Sequence, residues 1–191
     1  HEVESERGYT WLGWPIVKSP PDIFFYQELI GSRGIRRILE LGSGDGGGLW
    51  MFASFLDVYG GGLVVGVERD PPEVLPPFER FSRVDVHQIV ADTLDRKSIG
   101  RVVDHAQMFD LIVVDTGVEA ALWSDVLDSW CALLATNGVV TLEDASGIAD
   151  VYFLVDEFLL TRGNFTLLST ARVPFTKFGG AALKRQETGE E

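Results

Sequence analysis

The chain has 191 residues, of which 46% are hydrophobic, and it carries a formal net charge of −13. This size and apolar content suit one compact domain, and the acidic balance disfavours a broad nucleic-acid-binding surface. No stretch approaches the roughly 18 apolar residues of a membrane span, and the opening residues lack the basic start and apolar run of a signal peptide. The single cysteine, Cys131, cannot form an internal disulfide. We therefore expect a cytoplasmic protein that binds neither nucleic acid nor membranes, with Cys131 as a buried thiol.

Strand-like and helical patterns alternate along the chain. Ile23, Tyr26 and Ile30 lie on one face of a first predicted helix, with Asp22 at a capping position. The predicted elements are a helix at 22–30, a strand at 37–41, a helix that ends before residue 60, strands at 63–68 and 84–90, a helix at 95–105, a strand at 109–115, a helix at 120–134, a strand at 138–143, a helix at 148–160, and strands at 164–170 and 177–184.

A glycine-rich turn, GSGDGGG at residues 42–48, follows the first long strand and precedes a helix. Glycines let the backbone turn sharply and approach a ligand, while the helix presents free N–H groups. The pattern predicts a nucleotide-type cofactor site. It does not name the cofactor, because Gly42-x-Gly44-x-x-Gly47 also satisfies the dinucleotide fingerprint.

Three acids follow two of the predicted strands. Asp115 closes the strand at 109–115, and Glu143 and Asp144 close the strand at 138–143. If these strands are parallel neighbours, the three carboxylates meet at one edge of the sheet, where a buried cluster usually binds a cation or shares a proton. Oxygen ligands favour Mg²⁺ or Ca²⁺ over zinc. The alternative is that these acids cap the helices that follow.

The chain ends with two predicted strands that have no helix between them. Five β-α units followed by an antiparallel end are unusual for a dinucleotide dehydrogenase, and the arrangement resembles the class I S-adenosylmethionine-dependent methyltransferases. The resemblance implies an α/β, Rossmann-like, doubly wound fold. Its mostly parallel seven-stranded sheet would end in a C-terminal antiparallel hairpin.

Several segments resemble the cephalosporin hydroxylase/rhamnosyl O-methyltransferase family: WLGWPIVKSP at 11–20, Asp22, YQELI at 26–30, ILELG at 38–42 and FTKFGGAALKR at 175–185. The resemblance implies an N-terminal extension, 1–34, that roofs the site, and a methyltransferase domain, 35–191. It implies S-adenosylmethionine as cofactor and a divalent metal beside it: Mg²⁺, with Ca²⁺ or Mn²⁺ as alternatives. The implied activity is O-methylation of a sugar or small natural product, the small-molecule acceptor, by a homo-oligomer.

The resemblance also assigns cofactor-binding roles by position. The turn residues Gly42, Gly44, Asp45 and Gly46 would lie beneath the methionine part, with Glu40 bracing the turn or meeting the amino group. Glu68 ends a strand, where a carboxylate can bind both ribose hydroxyls. Asp92 would bind the adenine amino group, or would instead be a helix N-cap. Asp115 would adjoin the cofactor and, with Glu143 and Asp144, bind the metal.

One departure from the family pattern concerns the catalytic base. Family members commonly have a further acid and a His after the first metal-binding Asp, whereas Asp115 is followed here by TGVE. Asp115 and Glu119 are therefore the candidate catalytic residues. Glu119 could act as the base, a metal could suffice by lowering the hydroxyl pKa, or the activity could be reduced or altered. We interpret His87 and His105 as structural.

Other interpretations stay open at this stage. Trp11, Trp14 and Tyr26 are either roof residues that contact an acceptor or ordinary core, and Lys18 is either a site residue or a surface charge. A cofactor-binding accessory subunit would explain the missing His. An NAD-dependent oxidoreductase would explain the glycines and Glu68, but it is disfavoured by the C-terminal hairpin and the acid cluster.

Overall fold

The computed structural model describes residues 9–116, 122–143, 148–169 and 181–186. Five α-helices and nine strands lie in these ranges. In chain order they are β1 (Tyr9–Trp11), β2 (Trp14–Ile16), α1 (Pro20–Arg33), β3 (Arg37–Leu41), α2 (Gly47–Val58), β4 (Gly62–Glu68), β5 (Val84–Val90), α3 (Lys97–Val103), β6 (Phe109–Val114), α4 (Trp123–Trp130), β7 (Leu134–Leu142), α5 (Ile148–Thr161), β8 (Phe165–Ser169) and β9 (Ala181–Arg185).

Seven strands form one sheet in the order β5-β4-β3-β6-β7-β9-β8. The five strands β3 to β7 pair in parallel, and β9 pairs antiparallel with both β7 and β8. The chain order reverses at β3, whose neighbours are β4 and β6, so ligands are expected beyond the carboxyl ends of these strands. The predicted α/β fold, with its mostly parallel seven-stranded sheet and antiparallel end, is confirmed.

Each face of the sheet carries its own hydrophobic core. Ile38 and Val64 pack with α1 and α2 on one face, whereas Leu39 and Val65 pack with α4 and α5 on the other. This alternation follows from the period of two along a strand, and it explains why the central strands are apolar on both sides. Because both faces are covered, polar side chains of the central strands gather at the strand ends.

Several boundaries differ from the predicted ones. The N-terminal hairpin β1–β2 was not predicted, because two strands of three residues are too short to give a periodic pattern. Ser19 is the N-cap of α1, and Asp22 stands three residues later, where its carboxylate accepts from the backbone N–H of Ser19 at 2.8 Å. The strand β7 begins at Leu134, four residues early, and its irregular point is Asn137, with a φ of +65°.

The remaining sequence predictions concern burial. Cys131 is partly buried against the core, and burial raises the pKa of its thiol to about 12, as expected for a structural cysteine. The rings of His87 and His105 stack with centroids 4.1 Å apart, which agrees with a structural role. Within the described ranges, no helix is both long enough and apolar enough to cross a membrane.

Candidate functional site

A cavity of about 470 Å³ opens at the carboxyl ends of β3, β4 and β6, beside the point where the strand order reverses. Its volume lies in the range of about 300–1,000 Å³ that is typical of small-molecule sites. The described residues that line it are Ile16, Val17, Lys18, Glu40, Gly42, Ser43, Gly44, Asp45, Gly47, Gly48, Glu68, Asp70, Pro72 and Asp115. The glycine turn therefore shares one cavity with three of the predicted acids, Glu40, Glu68 and Asp115.

The turn after β3 depends on Gly42. Its φ is +84°, and a Cβ at this position would lie 2.1 Å from the backbone oxygen of Asp115. No side chain fits such a gap, so glycine allows the ends of β3 and β6 to approach each other. Gly46 faces Pro76 and lies outside the set of described residues that line the cavity, in contrast to Gly42, Gly44 and Asp45.

Glu40 is a carboxylate buried in the cavity wall. The residue is 1% exposed, its Oε1 lies 3.1 Å from Lys18 Nζ, and no group among the described residues bonds to its Oε2. Burial raises the pKa of Glu40 to about 7, while the ammonium of Lys18 opposes the increase. An unpartnered buried acceptor is costly, so Glu40 is suited to receive a donor from a ligand.

Glu68 and Asp92, which are also predicted to bind the cofactor, differ in their position. Glu68 lines the cavity, and its carboxylate accepts backbone N–H bonds from Gly44 at 3.0 Å, Arg69 at 2.8 Å and Asp70 at 3.1 Å. Asp92 lies outside the described lining and accepts from the backbone N–H of Leu94 at 2.9 Å. Asp92 is not the N-cap of α3, because that helix begins at Lys97. Binding of ribose by Glu68 and of adenine by Asp92 stays a prediction.

Lys18 brings three of these acids together. Its ammonium lies 2.9 Å from Glu143 Oε2, 3.0 Å from Asp115 Oδ2 and 3.1 Å from Glu40 Oε1, and its side chain is 4% exposed. Burial alone would lower the pKa of Lys18, but the three carboxylates raise it well above its ordinary value. The suggestion that Lys18 is a surface charge is therefore wrong, and the ammonium is a fixed positive charge within the site.

Glu143 is held from a second side by Tyr26. The phenol of Tyr26 donates to Glu143 Oε1 and lies 3.0 Å from Thr141 Oγ1, while Glu143 Oε2 accepts from Lys18. Burial raises the pKa of Glu143 to about 8, and the Lys18 ammonium opposes this shift. Tyr26 is fully buried, and the Lys18 ammonium also lies 5.7 Å from the centroid of its ring.

The predicted metal ligands are only partly described. Asp115 and Glu143 converge as expected, whereas Asp144 and the candidate base Glu119 lie outside the described residues. Within the described ranges, no group of three His, Cys, Asp or Glu side chains is arranged to hold a metal ion. The donors have the all-oxygen chemistry of a hard-cation site, and Asp115 faces the cavity with its side chain 25% exposed. The three-acid metal site stays a prediction.

The N-terminal aromatic residues serve mainly as packing. The indole N–H of Trp11 donates to Ser54 Oγ at 2.7 Å, and its backbone oxygen accepts from the indole of Trp50 at 2.9 Å, so Trp11 lies on α2. Among the described residues of the N-terminal segment, those that line the cavity are 16–18, at the end of the hairpin.

Comparison with solved structures supports the fold. A CmcI structure with Mg and S-adenosylmethionine has a TM-score of 0.72 and 21% identity, covering 96% of this chain and 79% of that one. CmcI with S-adenosylhomocysteine gives a TM-score of 0.63 at 18% identity, over 95% and 84% of the two chains. The MycE methyltransferase of the mycinamycin pathway, in complex with Mg, S-adenosylhomocysteine and mycinamycin VI, gives 0.63 at 17% identity, over 87% and 50%.

No curated protein sequence matches the chain. The family model described as rhamnosyl O-methyltransferase/CmcI matches residues 4–131, which is about two thirds of the 191 residues. The match runs from the N-terminal segment through the glycine turn, Glu68 and Asp115. The chain belongs to the rhamnosyl O-methyltransferase/CmcI family.

Proposed function

We propose that this protein transfers a methyl group from S-adenosylmethionine to a hydroxyl oxygen of a sugar or small natural product. The single observation that carries the proposal is the cavity beside the glycine turn, with the buried, unpartnered Glu40 Oε2 in its wall. The family membership supports the same reaction class.

The cavity wall offers partners for different parts of the cofactor. Glu40 would accept from the amino group of the methionine part, while Gly42 and Gly44 leave room for that part to approach the backbone. Glu68, at the end of β4, would accept from the ribose hydroxyls if it releases one of its backbone N–H bonds. Asp92 is proposed for the adenine amino group, on the basis of its position after β5.

The charge of the site favours a cationic ligand. Burial raises the pKa of Glu40 and of Glu143, and a bound cation would favour the ionised form of both. Once ionised, Glu40, Asp115 and Glu143 outnumber the single ammonium of Lys18. A sulfonium that binds beside Asp115 and Glu40 reduces this imbalance in a site of low dielectric constant. S-adenosylhomocysteine, the form of the cofactor that remains after methyl transfer, lacks this positive charge. Its release would therefore be favoured.

The acceptor hydroxyl would bind at the open side of Asp115, where the carboxylate is partly exposed. Asp115, Glu143 and Asp144 are the proposed ligands that would hold a Mg²⁺, which would supply Lewis acidity to lower the pKa of the acceptor hydroxyl. Asp115 would orient that hydroxyl toward the methyl donor, and Glu119 is the proposed base. Residues 1–34 are proposed to roof the site, since residues 16–18 already line the cavity. The homo-oligomer stays a prediction.

Isothermal titration with S-adenosylhomocysteine and with NAD, each with and without Mg²⁺, tests the cofactor. We expect binding of S-adenosylhomocysteine, and at least about tenfold weaker binding by Glu40→Gln, equivalent to about 1.4 kcal/mol. The exposed Glu79→Gln is the matched control. Tight binding of NAD alone would contradict the proposal.

Turnover is then measured as release of S-adenosylhomocysteine in a screen of sugar and polyketide hydroxyls. Release that depends on an acceptor supports a methyltransferase. Cofactor binding without release for any acceptor favours a cofactor-binding accessory subunit.

A further inference from the structure

We propose that Lys18 is a positioning residue, whose ammonium holds Glu40 and Asp115 in place at the wall of the cofactor cavity and is itself anchored by Glu143. The inference deepens the proposed function and rests on it for the identity of the ligand. It does not require that a metal be bound.

Three carboxylates surround the ammonium, and Asp115 and Glu143 accept hydrogen bonds from it. A lysine ammonium has three N–H groups, and three carboxylate oxygens lie 2.9–3.1 Å from Nζ. These carboxylates come from the ends of β3, β6 and β7, three neighbouring strands. Lys18 therefore ties the N-terminal segment to three strands at the point where the cavity opens.

The three partners differ in how firmly they are held without Lys18. Glu143 keeps its bond from Tyr26, and Thr141 lies beside the same phenol. Asp115 and Glu40 line the cavity, and among the described residues no donor bonds to Glu40 Oε2. Glu143 is therefore the anchor of the ammonium, and Asp115 and Glu40 are the groups that the ammonium positions.

Loss of the ammonium has a defined consequence. Removing one partner of a buried ion pair leaves uncompensated charge and is strongly destabilising, and like charges at this spacing repel one another. Asp115 is the most exposed partner and can turn toward solvent, and Glu40 would lose its fixed orientation. Both changes would weaken binding of a cofactor that contacts these residues.

The position of Lys18 makes chemical rescue feasible. Its side chain lines the cavity, so truncation to Ala opens a path from the cavity to the three carboxylates. A small ammonium ion such as methylammonium can then occupy the place of Nζ. Met has nearly the length of Lys and fills that space, so Lys18→Met removes the charge without making room for an ion.

The experiment compares wild type, Lys18→Ala, Lys18→Met and the exposed control Lys97→Ala in titrations with S-adenosylhomocysteine. We expect both substitutions of Lys18 to weaken binding by about tenfold or more, which is about 1.4 kcal/mol, and Lys97→Ala to bind as wild type does. Methylammonium chloride should restore binding by Lys18→Ala but not by Lys18→Met. Tetramethylammonium chloride, which has no N–H donor, should restore neither.

Thermal unfolding gives a second measurement that needs no cofactor. Methylammonium should raise the Tm of Lys18→Ala, or its refolding yield if that variant does not fold alone, and should leave Lys18→Met unchanged. Unchanged cofactor affinity in both Lys18 variants, or equal effects of methylammonium on the two, would overturn the inference. If wild type does not bind S-adenosylhomocysteine, the proposed function fails, and selective stabilisation of Lys18→Ala still decides whether Lys18 organises the cluster.

Discussion

Gly48 lies in the first turn of α2, directly against the carboxylate of Glu40. A Cβ at position 48 would be 2.1 Å from Glu40 Oε1, 2.5 Å from Oε2 and 2.7 Å from Cδ. All three distances are well below van der Waals contact, so Gly48→Ala must displace the whole carboxylate. Any such shift disturbs the ion pair between Oε1 and the Lys18 ammonium, which lies 3.1 Å away.

Two opposing contributions set the size of the effect. Ala is better than Gly inside a helix by about 0.5–1 kcal/mol, which alone would stabilise the variant. Breaking a buried ion pair by separating one partner costs about 3–5 kcal/mol. The clash should prevail, and we expect Gly48→Ala to lower the free energy of unfolding by about 2–4 kcal/mol, a large share of the usual 5–15 kcal/mol.

Urea unfolding followed by circular dichroism measures this change. The matched control is Gly100→Ala in the helix α3, where an added Cβ has no heavy atom within 4 Å among the described residues. The control should be as stable as wild type or slightly more so. If Gly48→Ala resists urea as well as Gly100→Ala does, the Glu40 carboxylate does not pack against α2. Its assigned position in the cavity wall would then be wrong.

Two further predictions concern the same cluster. Tyr26→Phe removes the hydroxyl that donates to Glu143, and a buried acceptor left without its donor should lower the free energy of unfolding by about 1–3 kcal/mol. The half-exposed Tyr9→Phe is the control, and equal stability of the two variants would contradict the bond. Glu40 has a pKa raised by burial from its ordinary 4.5 to about 7, so the folded state keeps a proton that the unfolded state has lost. Its contribution to stability is fully present below pH 4.5 and is lost as the pH rises toward about 7. Urea titrations across this range should show wild type losing stability relative to Glu40→Gln, and parallel curves would refute the shift.

The sheet and its acids could be predicted from the sequence because their signals are local. Apolar runs bounded by glycine or proline predicted β3 and β4 nearly to the residue, and the final pair of strands without an intervening helix indicated the antiparallel end. The convergence of Asp115 and Glu143 followed from two parallel strands ending at one edge. These inferences need only the chain pattern and the rules of sheet geometry.

The burial of Lys18 could not be predicted in this way. Its partners Asp115 and Glu143 lie 97 and 125 residues away along the chain, and a lysine between Val17 and Ser19 has no local feature that distinguishes it from a surface charge. The sequence indicates a site lysine only when two observations are taken together. Three strand-end acids leave an excess of negative charge, and an N-terminal segment expected to cover the same edge contains a lysine.

The position of Glu68 shows a second limit of sequence reasoning. Glu68 ends its strand as predicted, but the backbone N–H groups that bond its carboxylate belong to two turns whose shapes could not be read from the sequence. Three-residue strands such as β1 and β2 are similarly too short for periodicity to reveal.

The position of β9 has a consequence for how the protein is made. In the sheet, β9 lies between β7 and β8 and pairs with both. The strand β8 is therefore joined to the sheet through β9, which is synthesised after it. Until residues 181–185 arrive, the backbone of β7 presents an open edge of the kind that recruits strands from other chains. A nascent or prematurely terminated product would therefore be prone to aggregate through the very strand that positions Glu143.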